Sequence, residues 1–309
     1  MKKTVFIDGS VGTTGLRIFE RLAVRDDVEL LTLPEERRKD PLARKEMLNG
    51  ADVAFLCLPD DAARESVALL ENPDTVIIDA STAHRTLPNW AYGFPELAEA
   101  FESKLLSSKR IAVPGCHASG FIALVYPLIE AGILSADALL TCHSVTGYSG
   151  GGKGMIKSYE DGERSPLLDA PRQYALLQQH KHLKEMKAIT GIENAPAFCP
   201  IVADFYSGMM VTVPLFATQI KGGMSAVKAV YAKKYAGEIV RFAESADEGG
   251  FLSGATLSKK DGMMITVAGN EERMLLIACY DNLGKGASGA AIECMNMVIG
   301  TERTKGLVL

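Results

Sequence analysis

A chain of 309 residues, 47% of them hydrophobic, can bury a full core and is long for a single domain, so two are expected. Its formal net charge of −5 leaves no electrostatic footprint for nucleic acid or an anionic membrane, and no apolar run nears the ~18 residues of a transmembrane helix. Six cysteines without CxxC spacing, in a chain too large to need disulfides, fit a reducing cytoplasm.

The start Met-Lys-Lys imitates the basic region of a signal peptide, but the apolar stretch after it stops within four residues and reads as a first strand. Residues 4–7 are that strand, and Gly9-Ser10-Val-Gly12-Thr13-Thr14-Gly15 follows at once. Residues 16–24 have helical spacing and 28–33 form a second apolar run. Runs at 53–58, 75–80 and 110–113 continue the pattern, with helix candidates at 61–70 and 96–106. Such alternation predicts a parallel, doubly wound sheet.

Gly9, Gly12 and Gly15 have GxxGxxG spacing, a variant of the dinucleotide fingerprint, and stand where it must stand, between first strand and first helix. Glycine lets the backbone approach a pyrophosphate at the helix N-terminus, and Ser10, Thr13 and Thr14 share the turn as cofactor-binding candidates. The second strand ends without the acidic residue that binds an NAD ribose. Instead Glu35-Glu36-Arg37-Arg38-Lys39 follows, and Arg37 and Arg38 favour the 2′-phosphate of NADP, with the two glutamates as competition.

Cys116 is the first candidate for chemistry. It stands in Pro114-Gly-Cys-His117 between the strand of 110–114 and the apolar segment 118–131, where a helix start stabilises a thiolate. Cys57, Cys142, Cys279 and Cys294 lie inside apolar runs and read as packing residues. A base for the sulfur is sought among five histidines. His180 and His182 flank Lys181 in a polar stretch; extended, their rings share a side, and helical, they lie about 200° apart. His117 and His143 read as structural. Arg85, a few residues beyond the strand of 75–80, is a candidate anion clamp near the carboxyl edge of the sheet, and Ser81 and Thr82 are donors there.

Gly147-Tyr-Ser-Gly-Gly-Gly-Lys153-Gly154 falls one residue short of a P-loop, since Gly154 replaces the Ser or Thr that binds Mg²⁺; this gives a rival phosphotransferase reading. A redox-sensing regulator with a reactive Cys116 is a third. In the second half, 139–145, 209–218, 263–268 and 274–280 are strand candidates of an antiparallel, interface or barrel-like sheet. Residues 226–243 and 287–298 are helix candidates.

Gly9–Gly15, Ile78-Asp-Ala-Ser-Thr-Ala-His-Arg85, Tyr92-Gly-Phe-Pro-Glu96, Pro114-Gly-Cys-His117, His143-Ser-Val-Thr-Gly147, His180-Lys-His182 and Asp281-Asn-Leu-Gly-Lys-Gly-Ala287 occur in one order along nearly the whole chain. Together they resemble the N-acetyl-γ-glutamyl-phosphate reductases, in their shorter branch, relatives of aspartate-semialdehyde dehydrogenase. The chain departs from the longer relatives in following His-Lys-His with Leu-Lys-Glu rather than a proline-containing turn. The resemblance implies an N-terminal Rossmann domain over 1–115, completed by the C-terminal helix of 285–309, and an α+β catalytic and dimerisation domain over 116–284. It implies NADPH-dependent reduction of an acyl phosphate through a Cys116 thioester, in arginine biosynthesis, with release of phosphate. Aspartyl and aminoadipyl phosphates share that mechanism and remain open as substrates. The base would be His182, with His180 second; Asn282 would contact the nicotinamide side, and Ser149 and Lys153 the cofactor or substrate phosphate. The partners implied are small molecules and further copies of the chain, as a homodimer or homotetramer, with no metal, nucleic acid or membrane.

Overall fold

The structure, a computed structural model, describes residues 2–309. It divides into two compact units, the chain up to Pro114 with Ala287–Leu307, and Gly115–Gly286 with Val308–Leu309.

The first unit runs β1 (Lys3–Asp8), α1 (Thr13–Ala23), β2 (Val28–Leu31), α2 (Pro41–Gly50), β3 (Val53–Leu56), α3 (Asp60–Ala68), β4 (Val76–Asp79), β5 (Ala91–Tyr92), α4 (Glu99–Ser107) and β6 (Arg110–Ala112), with the C-terminal helix α9 (Gly289–Val298) added from the far end of the chain. All six strands are parallel, in the order β2-β1-β3-β4-β6-β5. Successive side chains leave opposite faces of a strand. Val5, Ile7 and Phe55 therefore pack with Ile18 and Leu22 of α1, Leu105 of α4 and Ile292 of α9, while Phe6, Ala54 and Leu56 pack with Leu48 of α2 and Ala63 of α3. Helices on both faces make the sheet doubly wound, as the alternation predicts.

Two local features differ from expectation. The helix at 96–106 is a 3₁₀ turn, Pro95–Leu97, and then α4, because Ala98 is extended at φ −167°. Helix α2 was not anticipated; its signal is Asp40-Pro41, where the Asp40 carboxylate accepts the Leu42 N–H at 3.0 Å and proline fills the first position, whose N–H needs no partner. Arg25 ties the tail to α1: it pairs with Asp27 at 2.6 Å, holding that carboxyl well below the usual range, and donates to Asn296 Oδ1 at 2.6 Å.

The second unit runs α5 (Cys116–Glu130), β7 (Thr141–Gly147), α6 (Gly152–Glu160), β8 (Arg172–Gln173), α7 (His182–Thr190), β9 (Ala197–Ala203), β10 (Met209–Phe216), α8 (Gly223–Lys234), β11 (Val240–Phe242), β12 (Met263–Gly269) and β13 (Arg273–Tyr280). Its seven strands form one mixed sheet, β11-β12-β13-β10-β7-β9-β8, with β10 antiparallel to both neighbours and β7 parallel to β9. The sheet is open at β11 and β8, not barrel-like. The helix expected over 226–243 stops at Lys234, and residues 240–242 pair with β12 instead. The helix expected from 287 is a π-helical turn, Gly284–Ser288, followed by α9.

Helix α5 is buried almost throughout, and full burial of Phe121, Ile122, Leu124 and Leu128 is worth roughly 1.5–3 kcal/mol each. Gly120 lets it lie close on the sheet: a Cβ there would come 2.6 Å from Val211 and 2.7 Å from the Tyr280 hydroxyl. Pro127 removes the N–H that would pair with the Ala123 carbonyl. The Tyr235 hydroxyl donates to that carbonyl at 2.7 Å, and Tyr231 donates to Leu124 at 2.5 Å. Among the described residues no helix is long and apolar enough to cross a membrane.

Candidate active site

The chain leaves β1 at Gly9 with φ +88°, and a Cβ there would lie 2.4 Å from the Cys57 carbonyl oxygen just after β3. A Cβ on Gly15 would lie 2.3 Å from the Gly9 oxygen. Both positions require glycine. Because β2 and β3 flank β1, this turn sits at the switch point of the sheet, where open α/β folds bind ligands. A cleft of ≈ 940 Å³ opens there, lined among others by Gly9, Ser10, Glu35, Glu36, Arg38 and Lys39. Gly12 caps α1 with no side-chain bond, and no acidic residue stands in its first turn. The Thr13 hydroxyl oxygen is buried with no hydrogen-bond partner. An open helix start, an unsatisfied hydroxyl and two cations fit a dinucleotide phosphate.

Arg37 pairs with Asp40 at 3.5 Å on the exposed 3₁₀ turn Glu35–Arg37, while Arg38 and Lys39 of the same basic run line the cleft. An unforeseen group is Arg44 of α2, buried against Asp8 at 2.9 Å and Ser66 at 2.5 Å; it holds the end of β1.

Ser81 and Arg85 lie in the turn after β4, organised by the buried Asp79 carboxylate. That group accepts from the Ser81 N–H and hydroxyl and meets His84 Nδ1 at 2.6 Å. Arg85 donates Nε to the Val113 carbonyl at 2.8 Å and Nη2 to Ala80 at 3.1 Å. Both residues serve the strand ends of the first unit.

Cys116 is the first residue of α5, after Gly115 as N-cap, and the first bond of the helix runs from the Ser119 N–H to the Gly115 carbonyl at 2.8 Å. The Gly115 N–H is taken at 2.7 Å by Glu185, a buried carboxylate on α7 that sequence reasoning missed. Its signal was three-residue spacing from His182, which puts both on one side of α7. Gly286 packs against the sulfur-bearing carbon: a Cβ on Gly286 would lie 3.1 Å from Cys116 Cβ. Burial pushes the Cys142 thiol up, and the Cys279 thiol up to about 12, which leaves these as inert packing groups.

Three of the histidines converge on one another. His117 lies 5.8 Å from His180 and 5.6 Å from His182, ring centroid to centroid, and the latter two are 4.6 Å apart. Gln178 sets this up by exchanging two hydrogen bonds with the Phe198 backbone, at 2.8 and 2.7 Å, which pins the segment entering α7. His180 then accepts the His182 N–H on Nδ1 at 3.2 Å. His117 bonds Ser144 at 2.7 Å and the Tyr174 hydroxyl at 2.6 Å; burial, then His180, lowers its pKa to about 3. It stays neutral and structural. Burial and the nearby Cys116 push the Tyr174 phenol up. His143 is exposed on the outer face of the sheet.

The structure also brings Asn282 and Ser149 together. Asn282 donates to the Ser149 hydroxyl at 3.0 Å and accepts from the Gly208 N–H at 2.9 Å, both residues being buried. Their polar groups are engaged within the second unit. The P-loop reading fails here, because Gly147, Tyr148 and Ser149 donate their N–H groups to the carbonyls of Gly208, Phe205 and Tyr206 rather than presenting them to a phosphate. Lys153 is exposed on the first turn of α6. Among the described residues no cluster could hold a metal ion.

Known proteins share this layout. A sequence profile described as semialdehyde dehydrogenase, dimerisation domain, matches residues 116–282, and one described as semialdehyde dehydrogenase, NAD binding domain, matches 34–104. Curated relatives from Brucella ovis and Brucella canis, named N-acetyl-gamma-glutamyl-phosphate reductase, are 45% identical over 310 residues, covering 97% of this chain and 100% of theirs. Aspartate semialdehyde dehydrogenase II from Vibrio cholerae, complexed with ASA, superposes with a TM-score of 0.75 at 15% identity over 97% of this chain and 99% of that one. The Candida albicans aspartate semialdehyde dehydrogenase with NADP gives 0.66 at 16% identity, over 97% and 99%. At such identities the structural likeness shows the fold.

Proposed function

The chain belongs to the N-acetyl-γ-glutamyl-phosphate reductases of the semialdehyde dehydrogenase family, NADP-dependent oxidoreductases, and from that membership we propose that it reduces N-acetyl-γ-glutamyl phosphate to the 5-semialdehyde with release of phosphate, in the cytoplasm and as a homodimer or homotetramer. The observation that carries the reading is Cys116 at the first position of α5, followed by His117, whose ring meets those of His180 and His182.

In this reading the Cys116 thiolate attacks the acyl carbon; a C–S bond forms and the C–O bond to phosphate breaks. His182 takes the thiol proton. His180 is less suited, since its Nδ1 already accepts the His182 N–H and its other nitrogen holds the proton of the neutral ring. Backbone N–H groups at the start of α5 hold the developing oxyanion. NADPH, when bound, supplies the hydride that the thioester accepts. Gly9, Ser10, Gly12, Thr13, Thr14 and Gly15 cradle its pyrophosphate, and Arg38 with Lys39 bind the 2′-phosphate. Lys153 is the cation for the acyl phosphate. Arg85 is assigned to the strand ends it already bonds.

The test runs the reaction backwards, because acyl phosphates hydrolyse readily. Protein, NADP⁺, phosphate and N-acetylglutamate semialdehyde are combined and nicotinamide reduction is followed, with aspartate semialdehyde and NAD⁺ in parallel. Phosphate-dependent reduction of NADP⁺ by the N-acetylated aldehyde, abolished in Cys116→Ser, is expected. Turnover of aspartate semialdehyde alone would overturn the substrate assignment, and an active Cys116→Ser the nucleophile.

A further inference from the structure

We propose that Tyr280 is a positioning residue for this reaction, its phenol fixing the Cys116–His117 peptide so that the His117 N–H faces the substrate oxyanion. The inference rests on Cys116 as the nucleophile.

Tyr280 ends β13, fully buried, and its hydroxyl lies against the first turn of α5. It donates to the Cys116 carbonyl at 2.5 Å and accepts the Gly120 N–H at 3.0 Å. These two backbone groups are four residues apart, the pair that the helix itself joins in its first turn. The phenol therefore touches the donor and the acceptor of the same turn. Nothing else can stand there, since any Cβ on Gly120 would collide with the hydroxyl at 2.7 Å.

The consequence follows from the geometry of one peptide. Among the described residues no peptide bond is cis. In a trans peptide the C=O and the next N–H point in opposite directions within one plane. Holding the Cys116 oxygen from the sheet side thus aims the His117 N–H away, out of the helix N-terminus where the thioester oxygen would gather charge. Two neighbours keep the rest of the turn from moving: Glu185 holds the Gly115 N–H at 2.7 Å, and Gly286 lies against Cys116 Cβ. An oxyanion donor works only when already aligned, and losing one such donor costs about 10²–10³ in rate. A donor kept but released from its plane should lose part of that.

Two other tyrosines make the control. Tyr231 and Tyr235 also donate to carbonyls of α5, at Leu124 and Ala123, but far along the helix from the sulfur. If Tyr280 only stabilises α5, Tyr235→Phe must behave like Tyr280→Phe.

The experiment compares the two phenylalanine variants in the reverse assay, with active sites counted by substrate-protected alkylation of Cys116 and rates expressed per titrated site. Tyr280→Phe is expected to lower kcat about 10- to 100-fold with KM within about twofold, while Tyr235→Phe keeps kcat per site. Three results would overturn the proposal: wild-type kcat in Tyr280→Phe, a raised KM with kcat kept, or equal losses per site in both variants. Cys116→Ser separates the two levels. If it retains turnover, the nucleophile reading itself has failed; if it is dead while Tyr280→Phe is fully active, only the role of Tyr280 has.

Discussion

His117 follows the reactive sulfur by one residue yet is barred from acid–base work by its surroundings. Its ring is fully enclosed by Ser144, Tyr174, Phe198, His180 and His182, and burial holds its pKa at about 3 against an ordinary 6.5. Between those values the unfolded chain binds a proton that the folded chain refuses. Stability from this residue is therefore complete above about pH 6.5 and is lost as pH falls, by up to about 1.4 kcal/mol per pH unit. Asp27, depressed below its ordinary 3.8 by Arg25, loses its contribution only as pH falls below that value, so it stays out of this window. Urea unfolding between about pH 6.5 and 4.5 should show a steep loss of stability in the wild type and a shallower one in His117→Asn; parallel slopes would refute the enclosed, neutral histidine. Sequence marked this residue as structural, but its partners come from β7, from the segment after β8 and from α7, and long-range pairing of that kind leaves no local trace. The place of Cys116 at a helix start was legible because the Pro-Gly turn and the apolar segment after it are local signals, and the turn of glycines after β1 for the same reason. Glu185 was not, since its spacing from His182 puts it on that side of α7 but says nothing of the distant Gly115 N–H that it accepts.

Elements were legible where one rule governed them. Continuous apolar runs gave five of the strands of the first unit, because helices cover both faces of that sheet and leave no polar side to alternate with. α2 escaped because its outer residues are charged and its start is marked by Asp40-Pro41 rather than by an apolar stripe. α8 was read too long because apolar spacing continues past Lys234, where the chain turns into β11 and the sheet takes over what a helix face would have buried. α5 carries the clearest conflict between local and tertiary rules, a proline inside a buried helix. Tyr235 answers it by donating to the carbonyl that Pro127 leaves without a donor. Tyr235→Phe should cost about 1–3 kcal/mol of stability, the toll of a buried unsatisfied carbonyl. In a Pro127→Ala background the restored N–H can reach Ala123, so the same change should cost about 1 kcal/mol less. A thermodynamic cycle of the four proteins reads this coupling directly, and strict additivity would show that the two groups do not serve one carbonyl.

On the scale of the whole molecule, the mixed sheet raises a problem that no side chain solves within one chain. Its α5 side buries Met209, Val211, Val213 and Leu215, while the alternate residues of β10 leave the other face. The segment after β11 covers part of that face over Met264, Ile277 and Cys279. Beyond it Leu275 is 40% exposed and Phe216 62%, next to the half-buried Pro214 that pairs with Leu275, and with Val145 and Ile201 further along. Antiparallel sheets tolerate one wet face when it is polar; this one carries an apolar stripe, and a second copy of the same stripe, related by a twofold axis, is the simplest cover. Leu275→Asp sets like charges opposite each other across such an axis and leaves the interior of each chain untouched. Sedimentation at micromolar concentration should find the wild type as a dimer or tetramer and Leu275→Asp shifted toward the monomer, with its circular dichroism unchanged. An unshifted mass would move the interface to another surface, and a monomeric wild type would leave this stripe without a partner of its own kind.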